Sequence, residues 1–209
     1  MDKVKDIFDS PEHAANYEQK AKKANWLGPE ILLGLVFRYI QPRDKILDLG
    51  IGTGLVAELF HKAGLQVYGM DFSLEMLKVC NHKDISSELK EHDLRDLPYP
   101  YAADSMDHIV CGGVMHIFED ISMIFQEVAR IVKPGGIFAF ICADHQVSSR
   151  RNTSGRCQHS TIYNHNRDEI KKLFDVHSMK LVDSLEFFVY MQGDETRKHS
   201  FLAYTAVIG

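Results

Sequence analysis

From Lys45 to Asp144 one pattern repeats: a short apolar run, a turn, a segment with helical spacing, and another apolar run. The runs are KILDLG, QVYGMD, ELKEHD, DHIVCGG and GIFAFICAD, and the segments between them include LVAELFHKAG, SLEMLKVCNH and MIFQEVARIV. This alternation implies an α/β fold, a doubly wound parallel sheet with helices on both faces. The punctuation agrees with it. Gly64 is placed to cap the first of these helices at its C-terminus, Ser73 to cap the second at its N-terminus, and KPGG (Lys133 to Gly136) to end the helix before the fifth strand. In such a sheet the chemistry belongs at the C-terminal ends of the strands.

Upstream, about Pro11 to Ile40 reads as a helical leader, EHAANYEQKAKKA polar and EILLGLVFRYI apolar, closed by Pro42. Downstream, HQVSSRRNTSGRCQH (His145 to His159) has neither period and reads as a loop. After the helical RDEIKKLF come two strand-like runs, LVDSLEFFVYM and FLAYTAVI. The polar turn between them, around QGDETRKH, is too short for a crossover, so they must pair antiparallel. The expected organisation is one domain over 1–209: a leader or lid (1–42), a cofactor-binding core (43–144), a lid loop (145–165), and a terminal helix with a β-hairpin (166–209).

The turn after the first strand, GIGTG, carries Gly50, Gly52 and Gly54. A tight strand-to-helix turn needs positive φ, and a ligand lying against backbone needs the absence of Cβ; glycine supplies both. The dinucleotide fingerprint would place its third glycine at position 55, which is Leu55, and the turn lacks the Lys-Ser/Thr ending of a P-loop. That counts against NAD and against a nucleoside triphosphate. Asp71, 21 residues after Gly50, ends the second run, where its carboxylate could accept both hydroxyls of a ribose or could cap the helix beside Ser73. Asp93, after the third run, could take an adenine amino group with Leu94 on the ring, or could be an ordinary turn residue.

Taken in order, ILDLGIGTG, VYGMDFS, HDLRDLPY, DHIVCGGVMHIF and ARIVKPGGIFAF resemble the class I S-adenosylmethionine-dependent methyltransferases of small-molecule type. The resemblance covers about residues 10 to 144. It implies a Rossmann-like sheet of seven strands ordered 3-2-1-4-5-7-6 with strand 7 antiparallel, and S-adenosylmethionine bound across strands one to four, with S-adenosylhomocysteine as product. Position by position it implies that Asp48, Gly50 and Gly52 meet the amino acid end, Asp71 the ribose, Phe72 the adenine face, and Asp93 with Leu94 the adenine edge. Met76 closes the adenine pocket, and Cys111, Gly112 and Gly113 pass beneath the sulfonium. Tyr17 occupies the leader position that in such enzymes folds over cofactor or acceptor; packing of the leader is its alternative, and Trp26 shares that ambiguity.

Methyl transfer from a sulfonium needs chiefly alignment and exclusion of water. A base helps only a hydroxyl or protonated amine, and a histidine titrating near neutrality suits that role. The candidates are His116, after strand four, and His165, although Asn164 or Asn166 beside His165 could instead be capping a helix. Tyr163 could line the acceptor pocket, with Asp144 and His145 near its mouth. CGGV stands where enzymes of exocyclic base amines carry an Asn/Asp-Pro-Pro-aromatic run, which disfavours such an acceptor.

Composition narrows the partners. A net charge of -5 gives no overall attraction to phosphate backbones or anionic lipid, so no nucleic acid is expected. The basic cluster Arg150, Arg151 and Arg156 could meet an acidic group on the acceptor or be solvated loop, and no aromatic residues interleave with it. No run reaches the roughly 18 to 20 apolar residues of a membrane span. Cys80, Cys111, Cys142 and Cys157 have no CxxC spacing, and the scattered histidines give no metal pattern. The expected protein is therefore cytoplasmic, metal-free, a monomer or homodimer, and a methyltransferase of a small-molecule acceptor. Two other readings are a sensor that binds S-adenosylmethionine without transferring methyl and an NAD-dependent oxidoreductase.

Overall fold

The computed structural model describes residues 8–143, 163–190 and 198–209. Helices α1 (Pro11–Lys23) and α2 (Gly28–Val36) precede β1 (Lys45–Leu49), α3 (Leu55–Lys62), β2 (Gln66–Asp71), α4 (Leu74–Asn81), β3 (Glu88–Glu91) and β4 (Met106–Cys111). A 3-10 turn (Met115–Ile117), α5 (Ser122–Ile131), β5 (Val132–Ala143), α6 (Arg167–Val176), β6 (Met179–Tyr190) and β7 (Lys198–Ile208) follow. The sheet runs β3-β2-β1-β4-β5-β7-β6. Strands β1 to β5 pair parallel, and β7 pairs antiparallel to both β5 and β6. The terminal hairpin expected from its short polar turn is therefore present.

The burial follows the two periods. Along β1, Ile46 faces the side covered by α2 and α3, while Leu47 and Leu49 face the side covered by α5 and α6. A strand covered on both faces needs an unbroken apolar run, as here. In α5, Ile124, Phe125, Val128 and Ile131 form one buried stripe. Phe125 meets Phe138 and Phe140 of β5 edge-on, with centroids 5.4 Å away in each case, and Tyr204 of β7 stacks on Phe140 at 5.3 Å. A second network secures the segment before β4. Buried Glu127 accepts the Tyr99 N–H at 2.7 Å and pairs with Arg130, whose guanidinium also donates to the Tyr99 and Tyr101 carbonyls.

The caps read from sequence are in place. Ser73 Oγ accepts the Met76 N–H at 3.1 Å, and Gly64, at φ +90°, donates to the His61 carbonyl after α3. Two expectations change. The leader is two helices, because the chain leaves helical geometry between Lys23 and Gly28, with Asn25 at φ +51°. KPGG does not end the helix: α5 stops at Ile131, and the four residues lie within β5. Gly135 turns there at φ +82°, and Gly136 passes so close to Asp107 that a Cβ would sit 2.2 Å from its carbonyl oxygen. Of the lid loop 145–165 only Tyr163, Asn164 and His165 are described; Asp144, His145, Arg150, Arg151, Arg156, Cys157 and His159 lie outside the described residues, as does most of the hairpin turn.

Candidate functional site

Strand order reverses between β1 and β4, so their C-terminal ends leave a crevice that no crossover helix covers. The glycine turn forms its floor. Gly50, Gly52 and Gly54 have φ of +72°, +54° and +85°. At Gly50 a Cβ would stand 2.5 Å from Val114 Cγ2, and at Gly112, across the crevice after β4, 2.6 Å from Val56 Cγ2. The backbone is bare on both banks because packed neighbours leave no room for a side chain.

A cleft of about 330 Å³, open solvent at its mouth included, is lined by Tyr17, Trp26, Asp48, Gly50, Ile51, Gly52, Thr53, Leu55, Val56 and Gly112. Two buried oxygens in its wall, Asp48 Oδ2 and Thr53 Oγ1, have no hydrogen-bond partner among the described residues. Burial, reinforced by the neighbouring Asp71, pushes the Asp48 carboxyl well above the usual carboxylate range. A cationic ligand group would relieve both the desolvation and the missing bond. Thr53 was passed over in the sequence because it lies inside the glycine motif; only its burial without a partner marks it.

Asp71 sits at the end of β2 and is engaged on both sides. Its Oδ2 accepts the Gly52 N–H at 2.9 Å and its Oδ1 accepts the Ser73 N–H at 2.9 Å. Burial raises its pKa, and backbone donors at Ser73, Gly52 and Phe72 partly counter this. The helix-side role is thus realised, and the carboxylate keeps acceptor capacity for a ligand hydroxyl. Phe72 follows, partly buried, with Phe8 edge-on at 6.4 Å, and Met76 is buried beneath. Ser73 Oγ donates to the Phe8 carbonyl at 2.9 Å, which ties the start of the leader to this end of the cleft. Phe8, His13 and Tyr17 then run as a ring series towards the cleft.

Asp93 has the turn role that its sequence left open. It accepts the Arg95 backbone N–H at 3.0 Å and the same residue's guanidinium at 2.9 and 2.6 Å. Leu94 is buried in the core, its carbonyl accepting from Tyr99 Oη at 3.0 Å. Cys111 is buried and its thiol is pushed far up by desolvation, so it is a small apolar group here, as is buried Cys142. Among the described residues no group of three His, Cys, Asp or Glu side chains could hold a metal, and no helix is long and apolar enough to cross a membrane.

On the acceptor side the chain returns to the end of β4 from its far segment. The Tyr163 N–H donates to the His116 carbonyl at 2.8 Å, and the His165 N–H to the Ala143 carbonyl at 3.2 Å. His165 is buried, with Nε2 3.0 Å from the Met115 carbonyl, while Asn166 caps α6 by accepting the Asp168 N–H. His116 Nδ1 is buried without a partner among the described residues. Burial first, and His165 second, hold its pKa down at about 4, far below the near-neutral value wanted of a general base. Trp26 reaches both the cleft and the terminal hairpin, meeting Phe201 edge-on at 5.4 Å.

The sheet order with antiparallel β7, and a cleft at the β1–β4 reversal, define a methyltransferase-type Rossmann-like fold. A solved magnesium protoporphyrin IX methyltransferase from Synechocystis PCC 6803 with bound S-adenosylhomocysteine superposes with a TM-score of 0.74 at 17% identity, over 99% of this chain and 98% of that one. The family model described as "Methyltransferase domain" matches residues 47–140. A demethylmenaquinone methyltransferase from Corynebacterium kroppenstedtii is 34% identical over 96 residues, 46% of this chain and 40% of that protein. A malonyl-[acyl-carrier protein] O-methyltransferase from Legionella pneumophila is 32% identical over 135 residues, 61% of this chain and 46% of that protein. The chain thus spans less than half the length of each of these relatives. Over residues 47–140 this chain is similar to the methyltransferase-domain family.

Proposed function

We propose that the chain binds S-adenosylmethionine in the β1–β4 cleft and transfers its methyl group to a small-molecule acceptor, leaving S-adenosylhomocysteine. The observation that carries this reading is the pairing of a bare-backbone cradle at Gly50, Gly52 and Gly112 with the buried, unpartnered Asp48 Oδ2 in its wall. These residues fit the group: Asp48 can accept from the ammonium of the amino acid end, Asp71 from ribose hydroxyls, and Phe72 with Met76 can bracket the adenine. Asp93 remains the candidate for the adenine edge only if its carboxylate serves Arg95 and the ligand together. When bound, the cofactor supplies an already activated sulfonium methyl.

What the chain itself must do is align an acceptor atom behind that methyl and keep water out. Tyr17 and Trp26 stand on the leader side of the cleft as its cover. No dedicated protein nucleophile is required. The relatives are named for demethylmenaquinone and for an acyl-carrier-protein ester, so their acceptors differ, and neither is carried over to this chain.

Calorimetric titration with S-adenosylmethionine, S-adenosylhomocysteine and NAD tests the reading. Micromolar binding of the two sulfur nucleosides and none of NAD supports it; binding of NAD alone sinks it. Tight nucleoside binding with no methylated product across a broad acceptor panel would assign the chain as a sensor instead.

A further inference from the structure

Resting on that reading, we infer that the acceptor is a planar aromatic molecule bearing a hydroxyl, its ring laid against Trp26, Phe187 and Phe201 and its hydroxyl hydrogen-bonded to His116 Nδ1. Phe201 is the hub of this wall. Trp26 meets it edge-on at 5.4 Å, Phe187 stacks on it at 5.9 Å with a 27° interplanar angle, and His116 meets it edge-on at 6.0 Å. Strand β6 is parallel to β5, so Phe187 near its end, Phe201 near the start of β7, and His116 just beyond β4 share the sheet edge that carries the cofactor cleft.

Trp26 joins the two places. It lines the cleft, and the backbone beneath its ring is kept bare at Gly28, where a Cβ would collide with Cζ2 at 2.5 Å. Trp26 and Phe187 are only partly buried, and Trp26 lines the cleft. Aromatic rings favour edge-to-face and offset contacts with other rings beyond the area they bury, which selects a planar conjugated ligand over a saturated one.

The polar requirement comes from His116. A neutral imidazole carries one donor and one acceptor nitrogen, and a buried ring nitrogen without a partner costs stability until something meets it. A hydroxyl both donates and accepts, so it satisfies Nδ1 in either tautomer. None of the four wall residues carries a charge, His116 being held neutral by its burial, so an anionic acceptor finds no counter-ion in the wall itself.

Trp26 is the only tryptophan, so its indole N–H gives one nitrogen-15 resonance that reports on the wall without turnover. The probes are 4-methylphenol, toluene and 4-methylcyclohexanol, each titrated with and without S-adenosylhomocysteine. 4-Methylphenol should shift the indole resonance saturably, toluene at least tenfold more weakly, and 4-methylcyclohexanol not at all. His116→Leu should reduce 4-methylphenol to the level of toluene, while His116→Asn, which keeps a hydrogen-bonding group near Nδ1, should stay within a few-fold of wild type. Equal binding of the saturated alcohol, or unchanged binding to a folded His116→Leu protein, overturns the inference. S-adenosylhomocysteine binding measured on the same samples separates the two claims: intact cofactor binding with no phenol shift sinks only the acceptor assignment, and absent cofactor binding sinks the methyltransferase reading.

Discussion

Asp71 Oδ2 holds the Gly52 N–H at 2.9 Å, and through this bond the end of β2 fixes the glycine turn that follows β1. The other oxygen holds Ser73 at the start of α4. Replacing Asp71 with Ala removes both acceptors from buried donors, which should cost about 1–3 kcal/mol in urea denaturation. Nucleoside affinity should fall several-fold or more by calorimetry. Unchanged affinity in a folded variant would remove the ribose role and leave Asp71 as a brace for the turn.

Gly50 and Gly135 separate two costs of losing glycine. Both have positive φ, but a Cβ at Gly50 meets Val114 at 2.5 Å, whereas one at Gly135 meets nothing within 4 Å. Gly135→Ala should therefore cost about 1 kcal/mol of backbone strain and leave ligand binding alone. Gly50→Ala should cost more, by about 1–3 kcal/mol of overpacking, and should also weaken nucleoside binding. Equal thermal shifts in the two variants would show that Val114 gives way freely.

His116 makes acid stability a readout of its burial. Its folded pKa is lowered to about 4 from an ordinary 6.5, so the unfolded chain binds the proton more readily. The stability it contributes is fully present above the unfolded value, drains away as pH falls from 6.5 towards 4, and is gone below that. Wild type minus His116→Asn, compared by urea midpoint, should lose up to about 3 kcal/mol across this window. A flat difference would mean the ring is solvated.

Arg130 holds a buried carboxylate in place. With Arg130→Ala, Glu127, 3% exposed, keeps the Tyr99 N–H but loses its counter-ion, and the Tyr99 and Tyr101 carbonyls lose their donor. The expected cost is about 3 kcal/mol. The double variant Arg130→Ala with Glu127→Gln should recover part of it, since the uncompensated charge is gone; no recovery would place the loss in the two carbonyls instead.

The sheet and the glycine turn were legible in the sequence because their causes are local. Apolar period, Gly64 and Ser73 at helix ends, and a hairpin turn too short for a crossover act over a few residues, and they give β1 to β5 and the antiparallel pairing of β6 with β7; the place of β7 between β5 and β6 came from the family resemblance. Gly50 and Asp71 could be nominated on the same basis, one in the turn after β1 and the other at the last position of β2, whereas Asp48 and Phe72 were nominated only through the family resemblance. The break between α1 and α2 was passed over although its signals are local: Asn25, at φ +51°, ends the first helix and Gly28–Pro29 opens the second. The engagement of Asp93 by Arg95 was not legible, being a choice of rotamer rather than of residue type.

What only the tertiary structure decided is which polar groups lose water without gaining a partner among the described residues. Asp48 Oδ2, Thr53 Oγ1 and His116 Nδ1 are ordinary side-chain atoms in sequence. They acquire meaning when segments far apart in the chain close over them, as the leader and β4 do around the cleft and the 163–165 segment does beside His116. Desolvation depends on all the atoms that surround a group, and no window of sequence contains them.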